Sequence, residues 1–192
     1  MLLAAAFAAL LPATAHGADE LGVYGGIDGG YSTPRGHEYG GNLEDGLDAL
    51  HGYVGYRIGG MLSLEASALD IQAPIKGSKS TADIRTYSVD ARVFVPMGSV
   101  QPNFLIGYAP VADLHIASGS FSEDLHGHSW NLGAGARFVV VPKLYLTLDV
   151  RHMFIRHTRG EASIGGATVS GTFDHEQRGD VTALLVGGGL QF

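Results

Sequence analysis

The fold is decided between residues 126 and 157, where two segments read HGHSWNLGAGARFVVV (126–141) and LYLTLDVRHMFIRH (144–157). In both segments, apolar side chains alternate with small or polar ones, most clearly from Leu144 to Val150. This period of two is typical of a β-strand that has one apolar face. Only Pro142 and Lys143 separate the two runs. We therefore expect an antiparallel hairpin with a short turn.

The same alternation recurs along the rest of the chain, in segments of about 10 or more residues, which is enough to cross a membrane as a tilted strand. The segments span residues 21–32, 49–58, 61–72, 84–96, 101–115, 126–141, 144–157 and 181–192. Short connections at 59–60, 97–99 and 142–143 alternate with long ones at 33–48, 73–83, 116–125 and 158–180. This pattern predicts an all-β fold, an eight-stranded antiparallel up-and-down transmembrane β-barrel with short periplasmic turns and four long extracellular loops.

The composition excludes several classes of protein. The chain has 192 residues and no Cys, which rules out a disulfide scaffold and a Cys-ligated metal centre. A formal net charge of −7 argues against a polybasic partner of nucleic acid. An apolar fraction of 45% argues against disorder. Glycine makes up 29 of the 192 residues, which is about twice its usual share of roughly 7% and fits soluble domains poorly.

Residues 1–17 read MLLAAAFAALLPATAHG and predict a secretory signal peptide. The apolar run ends in Pro12 and small residues, and it is too short for a comfortable membrane-spanning helix. It departs from the usual pattern in having no Lys or Arg before the apolar run. We therefore divide the chain into a signal peptide, 1–17, and a barrel domain, 18–192. An exported apolar protein that has no spanning helix is expected in the outer membrane as a closed barrel.

The two phases of the alternation predict the two faces of the barrel. The more apolar phase carries no charge in any strand, so we assign it to lipid. The opposite phase carries four acids and four bases, namely Asp28, Arg57, Glu65, Asp90, Arg92, Arg137, Asp149 and Arg151. Buried ions require partners, and eight strands enclose little more than side chains. We expect an ion-pair network that plugs the lumen, in contrast to an open porin.

Aromatic residues near the strand ends predict girdles at the two membrane interfaces. The girdle at the long-loop end consists of Tyr31, Tyr87, Tyr108 and Trp130, and the girdle at the short-turn end of Phe138, Tyr145 and Phe192.

The chain resembles the small eight-stranded outer-membrane β-barrel family, which includes the transmembrane domain of outer-membrane protein A and related porin-family surface antigens. The resemblance covers about residues 19–192 and is carried by LGVYGG at 21–26, GYR at 55–57, LSLEA at 62–66, LGAGARF at 132–138 and the ending from Leu184 to Phe192. It implies that the terminal Phe192 is the signal read by the barrel-assembly machinery. Outer-membrane lipids and lipopolysaccharide are the other expected partners of a barrel that is monomeric and has no cofactor.

Histidines concentrate in or beside the predicted long loops, at His37, His115, His126, His128, His157 and His175. The loop between strands five and six contains two Asp-Leu-His triplets, Asp113 to His115 and Asp124 to His126, followed by His128. Residues i and i+2 of a strand share a face, so each Asp can lie beside its own His. Imidazole and carboxylate groups suit zinc, copper or nickel. The set Asp113, His115, Asp124, His126 and His128 is therefore a candidate metal site, and a solvated polar loop is the alternative.

The sequence favours a structural or surface-interaction role over catalysis. Lipid A deacylases of this barrel size use a His-x-Ser pair in one strand, and this chain contains none. A dyad that joins His51 or His152 to a loop serine from another strand stays open. The alternatives to this structural or surface-interaction role are a small porin-like channel and a lipid A-modifying barrel enzyme.

Overall fold

Eight antiparallel strands follow one another in chain order around a closed barrel in the computed structural model. The structure describes residues 22–35, 43–78, 80–118 and 121–192; the predicted signal peptide, Leu21 and His37 lie outside these ranges. The strands are β1 (Gly22–Arg35), β2 (Gly46–Ile58), β3 (Leu62–Pro74), β4 (Thr81–Phe94), β5 (Val100–Ser118), β6 (Phe121–Val141), β7 (Leu144–Ile164) and β8 (Ala167–Gln191). The predicted fold class is confirmed. In the described part of the chain, no helix is long and apolar enough to span a membrane.

The predicted lipid-facing phase lies on the outside of the barrel. Ile27 is 66% exposed, and Phe104 and Leu146 are exposed on their own strands. Their neighbours along each strand point inward and are buried, which produces a strict alternation in β3 and β4. Only a hydrocarbon environment stabilises a continuous apolar belt of this kind, because water would penalise it.

The outer ends of the strands differ from the prediction. Residues 116–125 and most of 158–180 were expected to be loops, and that expectation is wrong. Instead, β5 and β6 are separated by residues 119–120 alone, and β7 and β8 by Gly165 and Gly166. Both glycines have positive φ, 58° and 89°, which is the backbone of a tight hairpin turn. Polar sequence marks exposure to water, but it does not prevent strands from pairing beyond the membrane.

The barrel interior has two layers. The layer near the short turns is polar and contains the predicted inward charges. The layer near the outer end is an apolar core of fifteen buried residues: Leu43, Ala49, Leu69, Ile71, Ala73, Ala82, Ile84, Ala112, Leu114, Leu125, Met153, Ile155, Val181, Ala183 and Leu185. The expectation that ion pairs alone fill the lumen is therefore wrong for its outer half. In β3 these apolar residues continue the inward phase of Glu65, so the alternation already indicates that they point into the lumen.

Three tyrosines form a separate cluster inside the polar layer. Tyr24 lies 6.2 Å from Tyr53 and 6.4 Å from Tyr145 between ring centroids, in edge-to-face geometry. Tyr145 was predicted in the inner girdle, and that prediction is wrong because its side chain is 1% exposed. Since Leu144 and Leu146 take the lipid-facing positions, the pleat turns Tyr145 inward.

The barrel closes where β1 pairs with β8, from Tyr24↔Gln191 to Arg35↔Asp180. A Cβ atom at Gly30 would overlap the carbonyl oxygen of Leu184, and one at Gly187 would overlap that of Ile27. Glycine therefore permits the close approach of the two closing strands, which accounts for part of the glycine excess.

Candidate functional site

The polar layer is organised around two acids that face each other. The register places Glu65 of β3 directly opposite Asp90 of β4, and both side chains are buried. Like charges at opposed positions repel, so this pair requires cations. Arg92 of β4 and Arg151 of β7 supply these cations. The need for cations at this point follows from the strand register, which the alternation pattern does not specify.

Arg92 and Arg151 connect the acids into one network. The Nη2 atom of Arg92 lies 3.3 Å from Glu65, and its Nη1 lies 3.0 Å from Asp149. The Nη1 atom of Arg151 lies 2.9 Å from Asp90, and its Nη2 lies 3.6 Å from Glu65. Five of the eight predicted lumen charges therefore form ion pairs with one another across β3, β4 and β7.

The other three predicted lumen charges are also buried, but their partners differ from those expected. Asp28 accepts from Thr147 at 2.6 Å and contacts Nδ1 of His51 at 2.9 Å. Arg57 donates to the carbonyl oxygen of Gly60 at 2.6 Å and to Gln101 at 3.0 Å.

Arg137 lies among aromatic rings, with its guanidinium carbon 4.0 Å from the centroid of Tyr145 and 4.3 Å from that of Tyr24. A ring face is a favourable position for a cation in a buried site. The prediction that all eight charges pair with one another is therefore wrong. The partners of the remaining charges are His51, Thr147 and Gln101, the carbonyl oxygen of Gly60 and the aromatic rings.

The loop histidines pair across strands and not within their triplets. Asp113 of β5 stands opposite His126 of β6, with 2.9 Å between Oδ1 and Nδ1. His115 stands opposite Asp124 at 2.5 Å. The expectation that each Asp contacts the His of its own triplet is wrong, because an antiparallel register brings the opposed residues closer.

His128 does not join these two pairs. Its ring lies 6.0 Å from that of Tyr108. In residues 22–35, 43–78, 80–118 and 121–192, no three His, Cys, Asp or Glu side chains form a group that could hold a metal ion. The candidate metal residues thus form two exposed acid–imidazole pairs and one separate ring.

His157 was expected in a solvated loop, but it points into the apolar core and is 1% exposed. It lies on β7 beyond the outer girdle, in the inward phase of Arg151 and Met153. Burial lowers the pKa of His157 to about 4, against an opposing effect of the nearby Asp113 carboxylate. This histidine is therefore neutral at physiological pH.

The two histidines considered for catalysis have structural partners. His51 is fully buried against Asp28, and its ring stacks on Tyr53 at 5.2 Å between centroids. His152 lies on the outward face, and its Nδ1 contacts the Thr182 hydroxyl at 2.8 Å. An Asp–His pair that is sealed inside the barrel has no route to a lipid substrate, so this geometry favours a packing role for His51.

Comparison with known proteins agrees with this architecture. Neisserial surface protein A is similar in structure, with 13% identity, a TM-score of 0.67 and coverage of 88% of this chain and 97% of that one. Ail, the attachment invasion locus protein of Yersinia pestis, has 18% identity and a TM-score of 0.54, covering 90% and 100%. OprG from Pseudomonas aeruginosa has 16% identity and a TM-score of 0.55, covering 92% and 98%. A search of curated proteins finds no match.

These similarities in structure confirm the fold. The family is identified by a match of the sequence itself. Residues 1–192 match the family described as outer membrane protein beta-barrel domain. The chain therefore belongs to the outer-membrane β-barrel proteins and resides in the outer membrane.

Proposed function

We propose that this protein is a closed-lumen anchor that holds extracellular strand extensions at the cell surface, and that it has no catalytic role. Its partners under this proposal are outer-membrane lipids, lipopolysaccharide and the barrel-assembly machinery. The strand extensions of β5 to β8 provide the surface that other molecules meet.

The observation that supports this proposal is the filling of the barrel interior. On the inner side, Arg92 and Arg151 link acids from three strands. On the outer side, the apolar core crosses the whole lumen from Leu69 to Leu185. An ion that enters would have to displace both a hydrogen-bonded charge network and a dehydrated core.

The alternative roles have less support in the geometry. A porin-like channel requires a water-filled path, whereas residues of both layers are buried. A lipid-modifying enzyme requires an accessible nucleophile and base at the rim. His152 is the accessible histidine, and its Nδ1 contacts the Thr182 hydroxyl. A carboxylate that would orient and activate a histidine, as Asp28 does for the buried His51, is not among its described contacts.

Planar-bilayer recording tests the proposal. The purified protein is expected to give little or no stable conductance at neutral pH. A matched variant, Leu69→Ala with Leu185→Ala, opens space in the outer layer while all lumen charges stay in place. Large, steady conductance of the unaltered protein contradicts the proposal and favours the porin-like role, whereas conductance of the variant alone identifies the apolar layer as the seal.

A further inference from the structure

A row of three basic side chains crosses β6, β7 and β8 on the outward face of the barrel. The register places His128 opposite Arg156, and Arg156 opposite Arg178. The neighbouring row places Trp130 opposite Phe154. Aromatic girdles mark the membrane interface, so the basic row lies one level beyond it, among the lipid headgroups.

The basic row lacks sufficient counter-charge. Arg156 and Arg178 stand directly opposite each other, which is unfavourable for like charges. Glu176 supplies one carboxylate, whose Oε2 lies 3.8 Å from Nε of Arg156. The Nη1 atom of Arg156 is shielded from water and has no acceptor among the described residues. Arg178 is exposed and forms no ion pair with any residue of the described chain, although Asp180 follows it on the same strand face.

A cleft of about 530 Å³ opens beside His128 at the same level. Tyr108 and Pro110 line its membrane side, and Thr158 and Arg159 line its outer side. The strand irregularities explain the cleft, because β5 and β7 each carry an extra residue here, on either side of β6. The cleft has an apolar edge toward the acyl chains and hydrogen-bonding groups toward water.

Two acids, Asp113 and Glu161, also line the cleft. Asp113 is occupied by His126 at 2.9 Å. Carboxylates accept hydrogen bonds from hydroxyl groups and repel phosphate, so the cleft suits the uncharged, hydroxyl-bearing part of a headgroup. The phosphate belongs on the arginines, whose planar guanidinium groups bind phosphate oxygens in bidentate fashion.

We propose that Arg156, Arg178 and His128 bind the phosphate group of an outer-leaflet lipid, with the remainder of its headgroup in the adjacent cleft. A lipid is favoured over free phosphate because the row adjoins the aromatic girdle on the membrane-facing side of the barrel. This inference depends on the outer-membrane location and not on the closed lumen. A conducting barrel would therefore leave it intact.

The test uses the sole tryptophan of the chain as a reporter. Trp130 lies two residues from His128 on the same strand face, and its ring centroid is 5.0 Å from that of Tyr108. The protein in non-ionic detergent micelles is titrated with dihexanoyl phosphatidylglycerol, whose headgroup carries hydroxyl groups beyond the phosphate, at neutral pH. We expect a saturable change in tryptophan fluorescence. The double variant Arg156→Gln/Arg178→Gln is expected to weaken this binding by about tenfold or more, because two charge-assisted contacts are lost.

The matched control is Arg85→Gln. Arg85 also lies on the outward face, but Asp70 neutralises it at 3.4 Å, so binding is expected to be unchanged. Heat-modifiable gel migration verifies that each variant is folded. If the double variant does not fold, Arg178→Gln alone replaces it, since that side chain is exposed and forms no described ion pair.

Three outcomes of the lipid titration overturn the proposal. They are no saturable change with the unaltered protein, equal affinity in the Arg156/Arg178 variant, and equal weakening in the Arg85 variant. Inorganic phosphate is titrated in parallel under the same conditions. If inorganic phosphate binds as tightly as the lipid, the proposal is also overturned, because the site then recognises a free anion.

Discussion

Replacement of Arg92 by Met removes the central cation of the lumen while keeping a long side chain. The Arg92 side chain is 4% exposed, and it supplies the two contacts of Asp149, both at 3.0 Å. Glu65 would keep the hydroxyl of Tyr24 at 3.1 Å and Arg151 at 3.6 Å. Asp149 would thus be left as a buried carboxylate without its ion-pair partner. Such a loss costs about 3–5 kcal/mol of unfolding free energy.

The assay is urea unfolding of the barrel in phospholipid vesicles, followed by the fluorescence of Trp130. Adding Asp149→Asn to Arg92→Met removes the stranded charge, so we expect most of the lost stability to return. Arg85→Gln, which breaks an exposed ion pair on the outward face, serves as the control and should leave stability unchanged. A loss below about 1 kcal/mol for Arg92→Met, the range of exposed pairs, would refute the reasoning. Failure of Asp149→Asn to restore stability would refute it as well.

Three further predictions concern the outer core, the closing strands and the C-terminus. The pKa of His157 is lower in the folded barrel, about 4, than its ordinary 6.5, so protonation favours unfolding. Stability should be complete above pH 6.5 and fall by up to about 3 kcal/mol toward pH 4, and His157→Gln should reduce this loss in urea unfolding across that window. Gly30→Ala should lower the heat-modifiable, folded fraction by forcing β1 and β8 apart, whereas Gly52→Ala, where a Cβ meets nothing within 4 Å, should not; equal behaviour of the two would contradict the close-approach argument. Phe192→Ala should slow assembly by the barrel-assembly machinery without lowering stability, since the Phe192 side chain is 74% exposed and its backbone N–H still donates to Val23 at 2.8 Å; unchanged assembly kinetics in reconstituted vesicles would remove its assigned role.

The paired charged residues illustrate where prediction from the alternation stops. The phase assignment placed Arg151 and Asp90 on one face, and both are buried in the lumen. Their contact at 2.9 Å joins residues 61 positions apart, and it depends on how strands close around the barrel. For the same reason, Asp113 contacts His126 and not His115. His51 and His157 lie in the inward phase of their strands, so attention to phase alone would have identified both as buried.

The sequence by itself determined that this chain forms an eight-stranded barrel and which side of each strand faces lipid. Both properties follow from local geometry, because the side-chain period of a strand is two and a membrane tolerates only satisfied backbones. Only the tertiary structure decided which inward residues touch, where the polar layer gives way to the apolar core, and how Arg156 and Arg178 come to stand opposite each other. These contacts join distant strands, and their register is set by the bulges at Pro110–Val111 and Thr158 and by closure of β1 on β8. Polar segments such as 158–180 become paired strands when a neighbouring strand is present to satisfy their backbone groups, and no local pattern specifies that neighbour.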